Sequence, residues 1–173
     1  MAQPQSTTDI NVRSQTYCVA RTQVRCWHCG LPTGVLALAV PHGHETLSEE
    51  TPPGPGEGET AMAEAWQRAD ANAILFYVEH LDLDVECRLK HLSPLFRLAH
   101  SAATSSSYWA NHCEHCGALL GDHELHCEPD GAFMPSSEAA AAAVELLDMR
   151  APFEAAAAGY APEPEFFQFM RRG

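Results

Sequence analysis

Two short stretches carry the residue types best suited to chemistry: "CWHCG", Cys26 to Gly30, and "CEHCG", Cys113 to Gly117. Each is a cysteine pair with two residues between, followed by glycine. A knuckle of this spacing aims two sulfurs at one point. Two knuckles supply the tetrahedral four-thiolate set of a structural zinc site, with Zn–S distances of about 2.3 Å. Gly30 and Gly117 stand where backbone curling around a metal needs positive φ. The expected ligands are therefore Cys26, Cys29, Cys113 and Cys116, holding one structural Zn2+ per chain. A site closed by four thiolates has no open position at which to activate water, so the expected role is structural and not catalytic.

The separation of the two halves is the main objection, because 83 residues lie between Cys29 and Cys113. Loop closure grows only logarithmically, and lengthening a loop from about 15 to about 83 residues costs on the order of 1.5 kcal/mol. A structural zinc contributes about 10 to 16 kcal/mol of apparent binding energy. The metal outweighs the loop. A thioredoxin-type dithiol would use one pair at a helix N-terminus, whereas both pairs here precede glycine and a hairpin return. Unliganded buried cysteines are a second alternative, and an iron–sulfur cluster on the same four residues is chemically possible. Zinc against iron stays open.

Other polar residues invite weaker readings. His28 and His115 sit inside the knuckles, where donating N–H bonds or simple exposure is favoured over ligation. Trp27 and Trp109 are expected to pack over the knuckles, and Cys18, Cys87 and Cys127 to be buried small apolar residues. "GDHELHCE" offers Asp122, His123 and His126. As a strand over 122–127 it would set His123 with Cys127 on one face and Asp122, Glu124 and His126 on the other. A hydrolase-like site on Asp122, His123 and His126 is thus one alternative, with solvated polar surface favoured over it. Arg21 and Arg25 beside Trp27 and Trp109 form a local basic stripe that suggests a nucleic-acid-binding ribbon as another.

The elements that must position the cysteines are legible in outline. "YCVARTQVR" alternates as a strand into the first knuckle, and after the "LPTG" turn "VLALAV" returns as a strand ended by Pro41. "SSSYWANH" leads into the second knuckle in the same manner. The Pro/Gly/Glu-rich residues 41–60 read as an acidic flexible loop. Residues 61–71 read as a helix followed by a strand through "ILFYV", and a short helix within "LDVECRLKHL" is broken near Pro94. "SSEAAAAAVELLDMR" carries a helix signal with Ser136 or Ser137 as cap, ended by Pro152; a further short helical piece and an apolar tail, "FFQFM", follow.

The expected fold is α+β: a small antiparallel zinc-ribbon sheet built from two CxxC knuckle hairpins, with a mixed insertion and C-terminal helices. The expected organisation is a flexible N-terminus over 1–15, a split zinc-ribbon domain over 16–135 with an insertion at 41–107, and a helical segment over 136–173 packing on the core.

"CWHCG" with its apolar strand, and "YWANHCEHCG" leading through "LLGD" into "HELHCEPDGAF", resemble a group of uncharacterised bacterial proteins with split zinc-ribbon cores. More broadly the pairs are similar to zinc ribbons and rubredoxin-like knuckles. The resemblance covers mainly residues 24–40 and 107–134. It implies the same four cysteines as ligands and supplies no activity, since such folds host nucleic-acid, protein and regulatory functions alike.

Composition narrows the classes. The 173 residues carry a net charge of −13, and between His42 and Glu86 eleven acids face one base, Arg68. That balance disfavours nonspecific nucleic-acid binding, which draws on Lys and Arg at phosphates. Seven cysteines in a chain without a basic and apolar leader fit metal binding in a reducing compartment, and cytoplasmic location is the default expectation. Apolar runs such as Val35 to Val40 fall far short of the roughly 20 residues that span a bilayer. The functional expectation is a zinc-stabilised protein–protein interaction or adaptor module, with a protein partner or self-association and no membrane.

Overall fold

The computed structural model describes residues 9–48, 65–164 and 166–173. In chain order the elements are β1 (Val12–Ser14), β2 (Tyr17–Arg25), β3 (Pro32–Val40), β4 (Glu45–Ser48), β5 (Ala65–Arg68) and β6 (Ala73–Leu81). Next come α1 (Leu83–Leu92), β7 (Phe96–Ser101), β8 (Ser106–His112), β9 (Leu119–Leu120) and a π-helical turn, His123–Cys127. The chain closes with α2 (Glu138–Ala142), β10 (Glu145–Met149), β11 (Phe153–Pro162), a 3-10 turn at Phe167–Phe169, and β12 (Arg171–Arg172).

Nine strands form one sheet in the order β12-β10-β2-β3-β6-β11-β1-β4-β5, and β7-β8-β9 form a second. Every pairing is antiparallel except that of β10 with β12. The large sheet is buried on both faces at its centre, which explains why "VLALAV" is apolar at every position. Tyr17, Val19, Leu36, Leu38 and Val40 pack one face with Val85 and Leu89 of α1 and with Phe96 and Trp109 of the small sheet. Cys18, Ala20, Val35, Ala37 and Ala39 point to the other, against Leu120, Leu125, Phe133, Leu146 and Phe167. Helix α1 begins where Asp82 accepts the amides of Asp84 and Val85, satisfying donors that its first turn leaves unpaired.

The small sheet is joined to the large one by a side chain that replaces a strand. β3 pairs with β6 only through Leu38–Val40, so toward the first knuckle β3 has no ladder partner on that side. Asn111 of β8 supplies one: its Oδ1 accepts the Leu36 amide at 2.8 Å and its Nδ2 donates to the Leu36 carbonyl at 2.9 Å. On β6 the equivalent gap falls at Tyr77, whose backbone is left-handed (φ 49°) and whose amide donates to Asp122 Oδ2 at 2.7 Å. Asn111→Leu is therefore expected to leave two buried backbone groups unpaired and to cost about 2 to 4 kcal/mol in denaturant unfolding. An unchanged midpoint would show that water replaces the amide at no cost.

Several sequence expectations are corrected. The knuckle hairpins do not form a small ribbon sheet of their own; β2–β3 belongs to the nine-stranded sheet and β8–β9 to the three-stranded one. The helix read from Ser136 lasts only through Ala142, and the remainder of the segment expected to be helical is mostly strand. Its alanines have high helix propensity, but Val144 and Leu146 are buried on one face of the sheet while Leu147 and Met149 pack on the other. That period-two burial overrides propensity. In β11 the small side chains of Ala155, Ala156 and Ala157 are buried between β6 and β1, with a register shift at Ala156/Ala157. Residues 65–68, expected to be helical, form β5 paired to β4, and 122–127 make a helical turn in place of a strand. Within the expected flexible segments, Val12–Ser14 and Glu45–Ser48 are strands that pair with each other. The rest of the acidic loop and the start of the expected helix, residues 49–64, lie outside the described residues, as do residues 1–8 of the N-terminus.

Candidate metal centre

Strands β2 and β3 carry the first knuckle at their tip, and β8 and β9 carry the second. The two are built alike. Gly30 N–H donates to the Cys26 carbonyl at 2.8 Å and Cys26 N–H to the Leu31 carbonyl at 2.9 Å. Gly117 and Cys113 repeat both bonds, with the Cys113 carbonyl and with Ala118, each at 2.9 Å. Both glycines have φ of +73°, the left-handed conformation that their place in the sequence required. The amides of His28 and His115 point at the first sulfur of their own knuckle, each at 3.4 Å.

The knuckles also clasp one another. Trp27 Nε1–H donates to the Leu119 carbonyl at 2.9 Å, and His115 Nε2–H donates to the Pro32 carbonyl at 2.9 Å. Leu119 and Pro32 each stand three residues past the second cysteine of their knuckle. Each tip thus holds the strand that returns from the other. The Glu114 amide adds a bond to the buried Thr33 hydroxyl at 3.1 Å.

This clasp brings all four sulfurs within 4.8 Å of one another. Cys26 Sγ lies 3.6 Å from Cys116 Sγ, and Cys29 Sγ lies 3.7 Å from Cys113 Sγ. A tetrahedron with arms of about 2.3 Å has edges of about 3.8 Å, so the spacing suits a metal of zinc's size. Cys26 and Cys113 are buried, while Cys29 and Cys116 face solvent. The thiols compete for ionisation. Burial pushes Cys113 up, but the Cys116 and His115 amides and the neighbouring sulfurs outweigh it and bring it down to about 6. At Cys116 the Ala118 amide pulls the other way, yet desolvation and the three surrounding sulfurs push it up to about 12. A divalent cation removes this conflict by stabilising every thiolate at once. The four cysteines can hold a metal ion, and an all-sulfur donor set suits zinc or iron–sulfur chemistry.

No family model, curated protein or solved structure matches this chain. Its function must be read from its own geometry.

The remaining candidates do not assemble. His123 is exposed on the π-helical turn, whereas Asp122 and His126 are buried. His126 is stacked between Phe76 and Phe133, with ring centroids 5.2 and 4.9 Å away. Asp122 is engaged by the Tyr77 amide. No hydrogen bond joins any two of Asp122, His123 and His126 among the described residues, because a helical turn sends them in different directions where a strand would have aligned Asp122 with His126. The basic stripe is also dispersed. Arg21 pairs with Glu145, Arg25 donates to the Gly30 carbonyl, and Trp109 packs against Phe96 in the core cluster that contains no cysteine. Of the expected buried thiols, Cys18 is buried, Cys127 is half-buried and Cys87 is exposed. The apolar tail is largely spent on the core, with Phe167 and Met170 buried.

Sequence reading missed the clasp and one further group. Cys18 Sγ donates to Asp148 Oδ1 at 3.1 Å, and Arg172 binds the same oxygen at 2.8 Å. These three side chains line a cavity of about 220 Å³ with Val40, Asn72 and Phe167. Burial and the Asp148 carboxylate push the Cys18 thiol up to about 11, so it is a hydrogen-bonded thiol and not a nucleophile. Only the β10–β2 register brings Cys18 opposite Asp148, and nothing in the local sequence signals it.

Proposed function

We propose that Cys26, Cys29, Cys113 and Cys116 hold one structural zinc ion, and that the knuckle surface it fixes is a protein–protein interaction module. The observation that carries the metal is the pair of cross-knuckle sulfur distances, 3.6 and 3.7 Å, close to the edge of a zinc–thiolate tetrahedron. A single ion is favoured over an iron–sulfur cluster because the four sulfurs lie at the spacing of one tetrahedral centre, and zinc is preferred to a lone iron as the usual closed structural ion of two CxxC knuckles. The zinc would cross-link two hairpins belonging to different sheets. It leaves no coordination position for chemistry.

The interaction reading is supported by what this rigid tip displays. Trp27 is 63% and Leu31 48% exposed, an aromatic and an aliphatic side chain beside the metal. Aromatic residues on a rigid support are common anchors of protein interfaces. The charge of −13 favours a protein partner over nucleic acid.

Native mass spectrometry of protein purified under reducing conditions is expected to show one zinc per chain. A Cys26→Ser/Cys113→Ser variant should show less than about a tenth of that. Metal content below about half an equivalent in the parent protein, with folding intact, would overturn the zinc reading. For the surface, Leu31→Asp, whose side chain takes no part in the clasp, should keep its zinc and lose the self-association or partner capture that the parent shows. A parent that stays monomeric and captures no partner protein would count against the interaction role.

A further inference from the structure

The two short sulfur contacts have a common plan. Each joins a buried cysteine of one knuckle to a solvent-facing cysteine of the other: buried Cys26 to exposed Cys116, and buried Cys113 to exposed Cys29. An oxidant arriving from solvent meets the outer sulfur of each pair first. The inner sulfur, under 4 Å away across the site, is placed to resolve the product.

Resting on the zinc reading above, we infer that the site is a peroxide-responsive one, in which oxidation replaces the metal by two cross-knuckle disulfides, Cys26–Cys116 and Cys29–Cys113. In the first step the outer thiolate attacks hydrogen peroxide. An S–O bond forms, the O–O bond breaks, and hydroxide leaves to take a proton and become water. The outer sulfur is then a sulfenic acid. In the second step the inner thiolate attacks that sulfur; the S–S bond forms, the S–O bond breaks, and a second hydroxide leaves as water. Each disulfide passes two electrons to one peroxide. Two peroxides therefore consume all four thiolates and release one Zn2+.

The pairing sets the fate of the metal-free protein. Disulfides within each CxxC would leave the two hairpins without a covalent link at the site, joined there by the clasp and by Asn111 on top of the core packing. Disulfides between knuckles keep the two sheets covalently joined at the point where the metal held them. The oxidised protein is thus metal-free and still folded. The other thiols do not take part. Cys18 is buried and bound to Asp148, and neither Cys87 nor Cys127 belongs to the sulfur cluster.

The experiment uses the full chain carrying Cys87→Ser and Cys127→Ser, loaded with zinc and treated with hydrogen peroxide. Released zinc is followed with a colorimetric chelator, and disulfides are mapped by non-reducing peptide mass spectrometry. The expected result is one zinc released per two peroxides consumed, the two stated cross-knuckle pairs, near-UV circular dichroism retained, and recovery of metal binding after reduction. Cys29→Ser should still form Cys26–Cys116 and no other bond among the four positions. Zinc retained after full peroxide treatment, disulfides in any other pairing, or loss of tertiary signal on oxidation would overturn the inference. Failure of the zinc reading looks different, since reduced protein would then hold no metal before peroxide is added. The disulfide map of that metal-free protein would still decide the pairing.

Discussion

Removing the metal with a chelator under reducing conditions is expected to lower the thermal midpoint by about 8 to 16 °C, and to do so unevenly across the fold. A ligand held at about a thousandfold above its dissociation constant stabilises the native state by about 4 kcal/mol. For a chain of this size each kcal/mol moves the midpoint by about 2 to 4 °C. The loss is local before it is global. Cys26 and Cys113 belong to the core face that includes Leu120, Leu125 and Phe133, and without metal that face gains repelling or protonated thiols at its rim. The opposite face, where Tyr17, Leu38, Leu75 and Phe153 pack with α1, contains no cysteine. Hydrogen exchange should therefore quicken first at residues 26–31 and 113–118, while β6 and the centre of β11 stay protected. Cys113→Ser should reproduce the pattern, because Cys113 is buried and its neighbours hold its thiol down to about 6. Identical midpoints and exchange with and without metal would remove the structural role from the site.

That unevenness stems from a feature the sequence shows only in part. The knuckles are local, and their CxxC-G spacing is enough to recognise both, their turn geometry and the strands that flank them. The convergence of the four cysteines is legible for the same reason. The segments between and beyond them are not, because their structure depends on pairing partners distant in the chain. β10 pairs with β2, and Glu145 comes to lie opposite Arg21 through a register that no local pattern encodes. Alanine-rich segments such as residues 139–143 and 155–158 carry a helix preference that only tertiary pairing decides, and it decides differently for each. Asn111 and Asp122 are harder still. A lone Asn or Asp before or after a knuckle reads as surface, yet both are buried and complete backbone ladders at the point where β3 and β6 part. The "GDHELH" stretch stands out in the sequence for its charges. Its interest proves to be structural, in how two buried titratable groups share one small region.

Those two groups contribute opposing pH slopes to stability over one window, so that each masks the other. Burial drives the His126 imidazole down to about 3, and burial raises the Asp122 carboxyl to about 7 against the opposing pull of the Tyr77 amide. For His126 the folded value lies below the ordinary value of about 6.5. Its contribution is therefore present above about pH 6.5 and lost as pH falls toward 3, because the unfolded chain takes up a proton that the folded one refuses. For Asp122 the folded value lies above the ordinary value of about 3.9. Its contribution is present below about pH 4 and lost as pH rises through 7, where the folded chain must bury a charge. Between about pH 4 and 6.5 the slopes oppose each other, each on the order of 1.4 kcal/mol per pH unit, and cancel. Each variant should uncover the other group. His126→Phe, which keeps an aromatic ring between Phe76 and Phe133, should lose stability as pH rises across that window. Asp122→Asn, which still accepts the Tyr77 amide, should gain it. Denaturant unfolding of the proteins at equal metal content measures this as a difference from the parent, so that proton competition at the cysteines cancels between them. The two difference curves should diverge with opposite sign. Curves that run parallel to the parent would mean that neither group titrates as its burial requires, and that the polar pair beside the π-helical turn is open to water.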